Sequence, residues 1–287
     1  DVTADASADA PADVRYVPDA EPVSAPNDTW TWVDVPGSAC ANGRPTGFGI
    51  NRNAGARGVM IFLQGGGACW DGATCWGPVS SSFYVATGYG RAEFALDILR
   101  PASLLLRRND AANPFRDYHF VAVPYCTGDV FAGRMTAPFD YDPDPAKAFE
   151  VTHRGHLNLM AVLADLQRRV AGDVPVVLSG LSAGGFGAVF NFPEVIERWP
   201  RTVLLPDSGM APEIPGDLFD RLGGTVAARW GADALLPSWC PDPACLSTQR
   251  LLAAHAAHFD GRRGPCVLVR LGAGDEALAV PQGGRAV

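Results

Sequence analysis

The sequence predicts an α/β fold in which a mostly parallel sheet is flanked by helices on both faces. Unbroken apolar runs alternate with segments of helical periodicity. Strands buried on both faces have this unbroken apolar pattern, and parallel strands need a helix-length connection between them. A glycine-rich turn at 180–184 also joins one apolar run directly to a helical segment. The predicted strands are an entry hairpin (31–35 and 47–51) followed by runs at 58–63, 118–123, 174–179, 202–206 and 266–271.

Two further segments carry a helical pattern. Residues 153–171 place apolar side chains three and four positions apart, and Gly172 follows as a helix-ending residue. Residues 247–259 form a second helical segment on which His255 and His258 share a face. No internal repeat interrupts this alternation, so we predict one catalytic domain over residues 28–287.

Composition sets residues 1–27 apart as a disordered acidic tether. Its first 26 residues are rich in Ala, Asp and Pro, and six acidic residues against one arginine give a net charge of −5 out of −8. Such a segment buries too little apolar surface to offset its ordering entropy. The remaining domain is nearly neutral, which disfavours nucleic acid as a partner. No run reaches the roughly 18 apolar residues that a membrane helix requires.

Seven cysteines indicate an oxidising compartment and structural disulfides. Cys69 and Cys75 flank one short loop, Cys240 and Cys245 flank another, and Cys40 with Cys126 makes a reasonable long-range pair. Cys266 is then left over. The spacing disfavours a zinc site, because no C-x-x-C motif occurs and no histidine lies beside a cysteine pair in the sequence.

Ser182 is the candidate nucleophile. It lies in Gly-Leu-Ser-Ala-Gly (180–184), directly after a predicted strand and before a predicted helix. This context defines the nucleophile elbow of α/β-hydrolases, whose sharp turn exposes the serine hydroxyl and admits only small neighbours. The five-residue pattern is weak evidence alone, and the flanking strand and helix make it more specific. The alternative is a glycine-rich turn with an incidental serine.

Gly65, Gly66 and Gly67 are candidate oxyanion donors. They follow the predicted strand 58–63, and in this fold the loop after that strand supplies backbone N–H groups. Glycine lets the main chain approach a substrate without an intervening Cβ. A strand-terminal triple glycine together with a strand-terminal serine elbow is more specific than either part alone.

Several short motifs occur in order along the chain: 40–48 (CANGRPTGF), 63–70 (LQGGGACW), 124–130 (PYCTGDV), 154–155 (RG), 182–185 (SAGG) and 206–209 (PDSG). Together they resemble the pectin acetylesterase family, which includes the animal Notum carboxylesterases. The resemblance extends from about Cys40 to about Leu278, and Ala68 departs from it by replacing a common aromatic residue.

This resemblance implies an α/β-hydrolase fold and Ser–His–Asp ester hydrolysis without a metal or a cofactor. It also implies export and structural disulfides. By position, Ser182 corresponds to the nucleophile, and Gly66, Gly67 and Ala183 correspond to the oxyanion donors. Asp275 follows the last predicted strand, where the acid of this fold usually lies, and Asp207 at the end of strand 202–206 is the alternative acid.

The general base has no candidate at the expected place. In the order Ser–Asp–His a histidine should follow Asp275, and none occurs in residues 276–287. Two explanations remain open: residues 1–287 lack a C-terminal segment that carries the base, or the protein is an inactive relative. The five histidines present are interpreted as core, capping or solvated residues (His119, His153, His156, His255 and His258).

We therefore expect an exported serine esterase that removes acetyl or short acyl groups from a polysaccharide such as pectin. An esterase acting on lipids or polyesters is the alternative within the same chemistry, and an exported binding module without activity is the alternative outside it. We expect a monomer, with a lipid anchor upstream of Asp1 as one way of retaining it outside the cytoplasm.

Overall fold

A six-stranded sheet carries the fold in the computed structural model, which describes residues 25–76, 84–97, 104–140, 150–170, 172–209 and 228–259. The strands are β1 (Trp30–Ala39), β2 (Pro45–Asn51), β3 (Val59–Leu63), β4 (His119–Val123), β7 (Val176–Leu181) and β8 (Thr202–Asp207), with β5 (Phe139–Asp140) and β6 (Glu150–Val151) forming a separate pair. The helices are α1 (Gly72–Trp76), α2 (Arg91–Asp97), α3 (Gly155–Gln167), α4 (Ala183–Arg198) and α5 (Thr248–Phe259).

The sheet is mostly parallel, which confirms the predicted fold class. Its strand order is β1-β2-β4-β3-β7-β8. The pairs β1–β2 and β2–β4 are antiparallel, whereas the pairs β4–β3, β3–β7 and β7–β8 are parallel. The carboxyl ends of β3, β7 and β8 therefore lie side by side at one edge, where ligands bind in open α/β sheets.

Both faces of the sheet are covered. All five residues of β3 are buried, and they alternate between two apolar clusters. Ile61 packs on one face with the α3 residue Leu163, whereas Phe62 packs on the other face with Leu106. Helix α2 also lies on the second face, since its Phe94 packs with Trp32 and Trp30 beside that cluster.

Helix α3 begins at Gly155, two residues later than predicted, because a distant carboxylate caps it. The N–H of Gly155 donates a 2.6 Å hydrogen bond to Asp129, whose side chain is completely buried. His153 lies before the helix and bonds through its Nδ1 to the carbonyl of Thr127 at 2.8 Å. A carboxylate at this position satisfies an N–H that has no partner within the helix.

Helix α4 contains Pro193, which has no N–H to offer the carbonyl of Val189 four residues earlier. The Nε2 of His255, on α5, bonds to this carbonyl at 3.0 Å. The Nε1 of Trp239 in turn donates to the Nδ1 of His255 at 3.3 Å. His255 therefore satisfies a main-chain group that the proline leaves without a helical partner.

All three predicted disulfides are confirmed: Cys40–Cys126, Cys69–Cys75 and Cys240–Cys245. Cys266 and the predicted strand 266–271 lie outside the described residues. Contact with the sheet begins slightly before the predicted domain boundary, since Ala25 is buried and Asn27 forms a bridge with Arg52. No helix in the described part of the chain is long and apolar enough to cross a membrane.

Candidate active site

Ser182 forms the turn between β7 and α4. Its backbone adopts φ 52° and ψ −117°, a region that a residue with a Cβ seldom occupies. The N–H of Ser182 donates a 2.9 Å bond to the carbonyl of Asp207 on β8, and its own carbonyl accepts from Phe186 at 3.1 Å. The residue is exposed, so the strained turn presents its hydroxyl at the carboxyl edge of the sheet.

The two glycines around Ser182 are required by close packing. A Cβ on Gly180 would overlap the carbonyl of Gly184, and a Cβ on Gly184 would overlap the carbonyl of Leu63. The tight turn therefore leaves no space for a larger residue on either side. This steric requirement is the physical content of the five-residue pattern in the sequence.

The triple-glycine loop lies directly against this turn. A Cβ on Gly65 would stand 2.7 Å from the carbonyl oxygen of Leu181 and 3.4 Å from the Cβ of Ser182. The strands explain this proximity, because Leu63 at the end of β3 is paired with Gly180 of β7. Gly67 adopts φ 75°, a conformation that favours glycine.

Ala183 is the first residue of α4, so its N–H has no acceptor within the helix. The helix N-terminus also carries a partial positive charge that favours an anion. Ser182 and Ala183 therefore lie at this sheet edge against Gly65, and Gly66 and Gly67 are the next residues of the same loop.

The side chain of Gln64 fixes the start of the glycine loop. Its Oε1 accepts a 3.2 Å bond from the N–H of Tyr125, and its Nε2 donates a 2.9 Å bond to Asp97 at the end of α2. Asp97 also accepts from the hydroxyl of Tyr84 at 3.2 Å. Sequence reasoning missed Gln64, although a polar residue between a buried strand and the glycines is a signal that could have found it.

A buried turn at residues 125–131 packs against the glycine loop. The ring of Tyr125 lies beside Gly66, where a Cβ would stand 2.7 Å from Cδ1, and the Tyr125 hydroxyl accepts from the N–H of Val130 at 2.8 Å. Val130 and Phe131 have φ of 47° and 59°. Asp129 stabilises this conformation by accepting from the Thr127 hydroxyl at 2.7 Å and from the N–H of Phe131 at 3.2 Å. Burial, assisted by Asp129, raises the pKa of Tyr125 well above its usual value.

Of the two candidate acids, Asp207 lies within the described residues and Asp275 does not. Asp207 ends β8 opposite Leu181, and its carboxylate accepts a 2.9 Å bond from the hydroxyl of Ser208. The structure therefore places Asp207 beside the elbow and leaves the position of Asp275 undescribed.

The histidines occupy other positions in the fold. The Nδ1 of His119 accepts from the N–H of Asn53 at 3.1 Å, and His258 stacks on Trp239 with ring centroids 3.9 Å apart. Burial lowers the pKa of His153, of His156 and of His255, the last to about 4. The hydroxyl of Ser182 forms no hydrogen bond with any of the residues described.

The fold brings His153 close to the Cys69–Cys75 disulfide, which their sequence separation does not suggest. Within the described ranges, one ligand atom from each of these three buried residues lies within 4.8 Å of the others. The two sulfurs are bonded to each other, so they offer no thiolate to a metal ion in this state. Cys69 also fixes the end of the glycine loop through its N–H, which donates to Gly128 at 2.7 Å.

Comparison with known proteins finds the same family that the motifs suggest. A family model described as Pectinacetylesterase matches residues 21–214, more than half of the chain. The chain is 26% identical over 204 residues to palmitoleoyl-protein carboxylesterase NOTUM of Drosophila melanogaster, covering 70% of this chain and 29% of that protein. It is 27% identical over 216 residues to pectin acetylesterase 11 of Arabidopsis thaliana, covering 71% of this chain and 51% of that protein.

Solved structures support the fold. The structure of the Wnt deacylase Notum from Drosophila superposes with a TM-score of 0.55 at 20% identity, covering 83% of this chain and 70% of that one. This likeness confirms the α/β-hydrolase architecture. The chain spans between about a third and a half of the length of these curated relatives.

Proposed function

The chain belongs to the pectinacetylesterase family, and on that basis we propose that it is a serine carboxylesterase. The names of its relatives describe ester hydrolysis, which makes carboxylesterase or deacylase activity the coarse expectation. The finer proposal is that Ser182 attacks acetyl or other short acyl esters on a polysaccharide and forms an acyl-enzyme.

The observation that carries this proposal is the proximity of Ser182 to the glycine loop. Ser182 is exposed in a strained turn, and its Cβ is 3.4 Å from the place of a Cβ on Gly65, so the glycine loop packs directly against the proposed nucleophile. Donors fixed in advance around a developing negative charge are the largest single contribution to catalysis in many enzymes.

The proposed reaction proceeds in two steps. The Ser182 oxygen forms a bond to the ester carbonyl carbon while its proton passes to a general base. The N–H groups of Gly66, Gly67 and Ala183 would stabilise the oxyanion. Its collapse breaks the bond to the alcohol, which leaves with the proton. Water then attacks the acyl-enzyme by the same route and releases the carboxylic acid and free Ser182.

We propose Asp275 as the acid that orients the base, with Asp207 as the alternative. An acid of this kind is worth about 10⁴ in kcat when its substitution by Asn leaves the geometry intact. Comparison of Asp275→Asn with Asp207→Asn therefore identifies the acid, because one variant should lose activity on that scale and the other should retain most of it.

An acetylated polysaccharide is the proposed substrate, by analogy with the pectin acetylesterases. Three disulfides support export, because such bonds persist in oxidising compartments. Acetate release from acetylated pectin, compared with hydrolysis of long-chain lipid esters and of polyester films, tests the substrate class. Faster release from the lipid or the polyester would contradict the polysaccharide assignment.

An active-site serine probe tests the nucleophile. A fluorophosphonate should label the parent protein at Ser182, and p-nitrophenyl acetate turnover should fall to background in Ser182→Ala. Ser208→Ala is a matched control, because Ser208 is also exposed, has φ 55° and follows the neighbouring strand. Labelling at Ser208, or equal turnover by the parent and Ser182→Ala, would overturn the proposal.

A non-catalytic binding module of the same fold is the second candidate. It is favoured by the contacts of His153, His156 and His255, which bond to Thr127, Asn191 and Val189 rather than to Ser182. The serine probe separates the two candidates, since stable labelling requires an activated hydroxyl and a binding module would remain unlabelled.

A further inference from the structure

A cavity lies near the end of α4 that is far from Ser182. It has a volume of about 510 Å³ and opens between the second half of α4, the end of α5 and residues 234–239. Glu194 on its wall is twelve residues along α4 from Ser182, which corresponds to about 18 Å at the helical rise per residue. The cavity is therefore separate from the proposed catalytic site, and its size is typical of small-molecule sites.

His156 is the imidazole of α3 that lines this cavity. The residue is only 5% exposed, and its Nδ1 lies 2.7 Å from the Oδ1 of Asn191. The Nδ2 of Asn191 donates to the carbonyls of Phe131 at 2.9 Å and Gly187 at 2.8 Å, so its Oδ1 must be the acceptor. The proton of a neutral His156 is therefore on Nδ1, which leaves a lone pair on Nε2.

The Nε2 of His156 has no hydrogen-bond partner among the residues that the structure describes. Water or a ligand satisfies an accessible atom of this kind, and a ligand hydroxyl that reproduces the hydrogen bond of a water can displace that water. Burial lowers the pKa of His156, so the ring is neutral near pH 7 and Nε2 accepts rather than donates. A ligand that donates a hydrogen bond would satisfy it.

The remaining lining combines charged groups with aromatic rings. Arg134 and two carboxylates, Glu194 and Glu197, contribute donors and acceptors. Glu194 is paired with Arg198 at 2.7 Å, which leaves Glu197 against Arg134, so the lining carries little net charge and suits a neutral ligand. Trp239 and Phe259 form an apolar wall, with ring centroids 5.3 Å apart.

We propose that this cavity binds a neutral sugar residue, with one hydroxyl donating to the Nε2 of His156. Sugar hydroxyls both donate and accept hydrogen bonds, which suits a lining of Arg134, the two glutamates and the imidazole. The C–H face of a pyranose is apolar and can pack against the aromatic wall. The site would hold a saccharide about 18 Å along α4 from Ser182, and it does not depend on ester hydrolysis.

Titration with neutral methyl glycosides tests the proposal. Methyl β-galactoside, methyl β-xyloside and methyl β-glucoside are added to the full chain with Ser182→Ala, and binding is followed by calorimetry and NMR. Trigalacturonate and hexanoate are the anionic and acyl comparisons. We expect saturable binding of at least one neutral glycoside, weakened at least tenfold by His156→Leu.

Two further variants keep the test decisive if His156→Leu does not fold. Arg134→Ala removes an exposed side chain at the cavity and should also weaken binding, whereas Arg57→Ala removes an exposed arginine elsewhere and should leave binding unchanged. Absence of neutral glycoside binding at 20 mM, preferential binding of trigalacturonate or hexanoate, or equal affinities for the parent and both cavity variants would overturn the proposal.

Discussion

The side-chain amide of Gln64 donates a 2.9 Å hydrogen bond to the carboxylate of Asp97, and this bond ties the glycine loop to helix α2. The other end of the same amide accepts from the main chain of Tyr125. Gln64 therefore holds the loop between two segments that are distant in the sequence.

Replacement of Gln64 should impair catalysis more than substrate binding. Gln64→Glu faces Asp97 with a second carboxylate, so we expect the loop to shift and kcat for p-nitrophenyl acetate to fall about tenfold, a part of the 10²–10³ lost with a whole oxyanion donor. KM should change little. Asp97→Asn in the same chain restores an amide–carboxylate pair and should recover most of kcat, and failure of this rescue would contradict the positioning role.

Glycine substitutions distinguish the elbow from ordinary turns. Gly184→Ala forces a Cβ into the carbonyl of Leu63, so we expect loss of folding or a stability decrease of about 3 kcal/mol or more. Gly172→Ala is the control, because its Cβ would be 3.7 Å from the nearest atom and no positive φ is involved. Thermal unfolding should rank the two variants clearly, and equal Tm values would refute the steric argument.

The protein should lose stability as pH falls from 6.5 towards 4. Burial lowers the pKa of His255 to about 4, so protonation favours the unfolded chain, in which the ordinary value applies. The contribution of neutral His255 to the free energy of unfolding is complete above pH 6.5. Between pH 7 and pH 5, His255 alone lowers that free energy by about 2 kcal/mol. The lowered pKa values of His153 and His156 act in the same direction.

Urea unfolding of His255→Gln isolates this contribution. Glutamine can donate to the carbonyl of Val189 and accept from Trp239 but does not titrate in this range. The variant should be less stable than the parent at pH 7 and should depend less on pH. Parallel pH profiles for the two proteins would show that His255 is not the group responsible.

The disulfides should contribute unequally to stability. Cys40 and Cys126 are 86 residues apart, whereas Cys240 and Cys245 are five apart. The chain-entropy model assigns about 4–5 kcal/mol to the long loop and about 2 kcal/mol to the short one. The double variant Cys40→Ala/Cys126→Ala should therefore have a lower Tm than Cys240→Ala/Cys245→Ala, and the reverse order would contradict the model.

The sequence was sufficient for features that depend on local pattern. Strand β3 is an unbroken apolar run, β7 begins with three apolar residues, and the elbow at Ser182 needs small residues at fixed spacing, so all three were predicted from short segments. The ends of some helices and strands differ by a few residues from the predicted ones, because contacts with distant parts of the chain determine them. Helix α3 begins at Gly155 because Asp129, 26 residues away, supplies its cap.

Contacts between distant side chains could not be predicted in this way. The bond between Gln64 and Asp97 and the bond from His255 to Val189 depend on how α2 and α5 pack, which periodicity does not encode. The sequence places His255 on one face of a helical segment with His258, but it does not indicate that the His255 ring bonds to a carbonyl of α4 that Pro193 leaves without a helical donor.

The pairing of Leu63 with Gly180 has a consequence for how the family can diversify. A shift of one residue between those strands would move the glycines by about 3.3 Å relative to the serine, enough to separate them. Loops elsewhere in the fold can change in length or composition without altering the distance between the glycine loop and Ser182. The backbone hydrogen bonds between β3 and β7 set that distance. New substrate specificities could thus evolve in the surrounding loops while the position of Ser182 relative to the glycine loop stays constant.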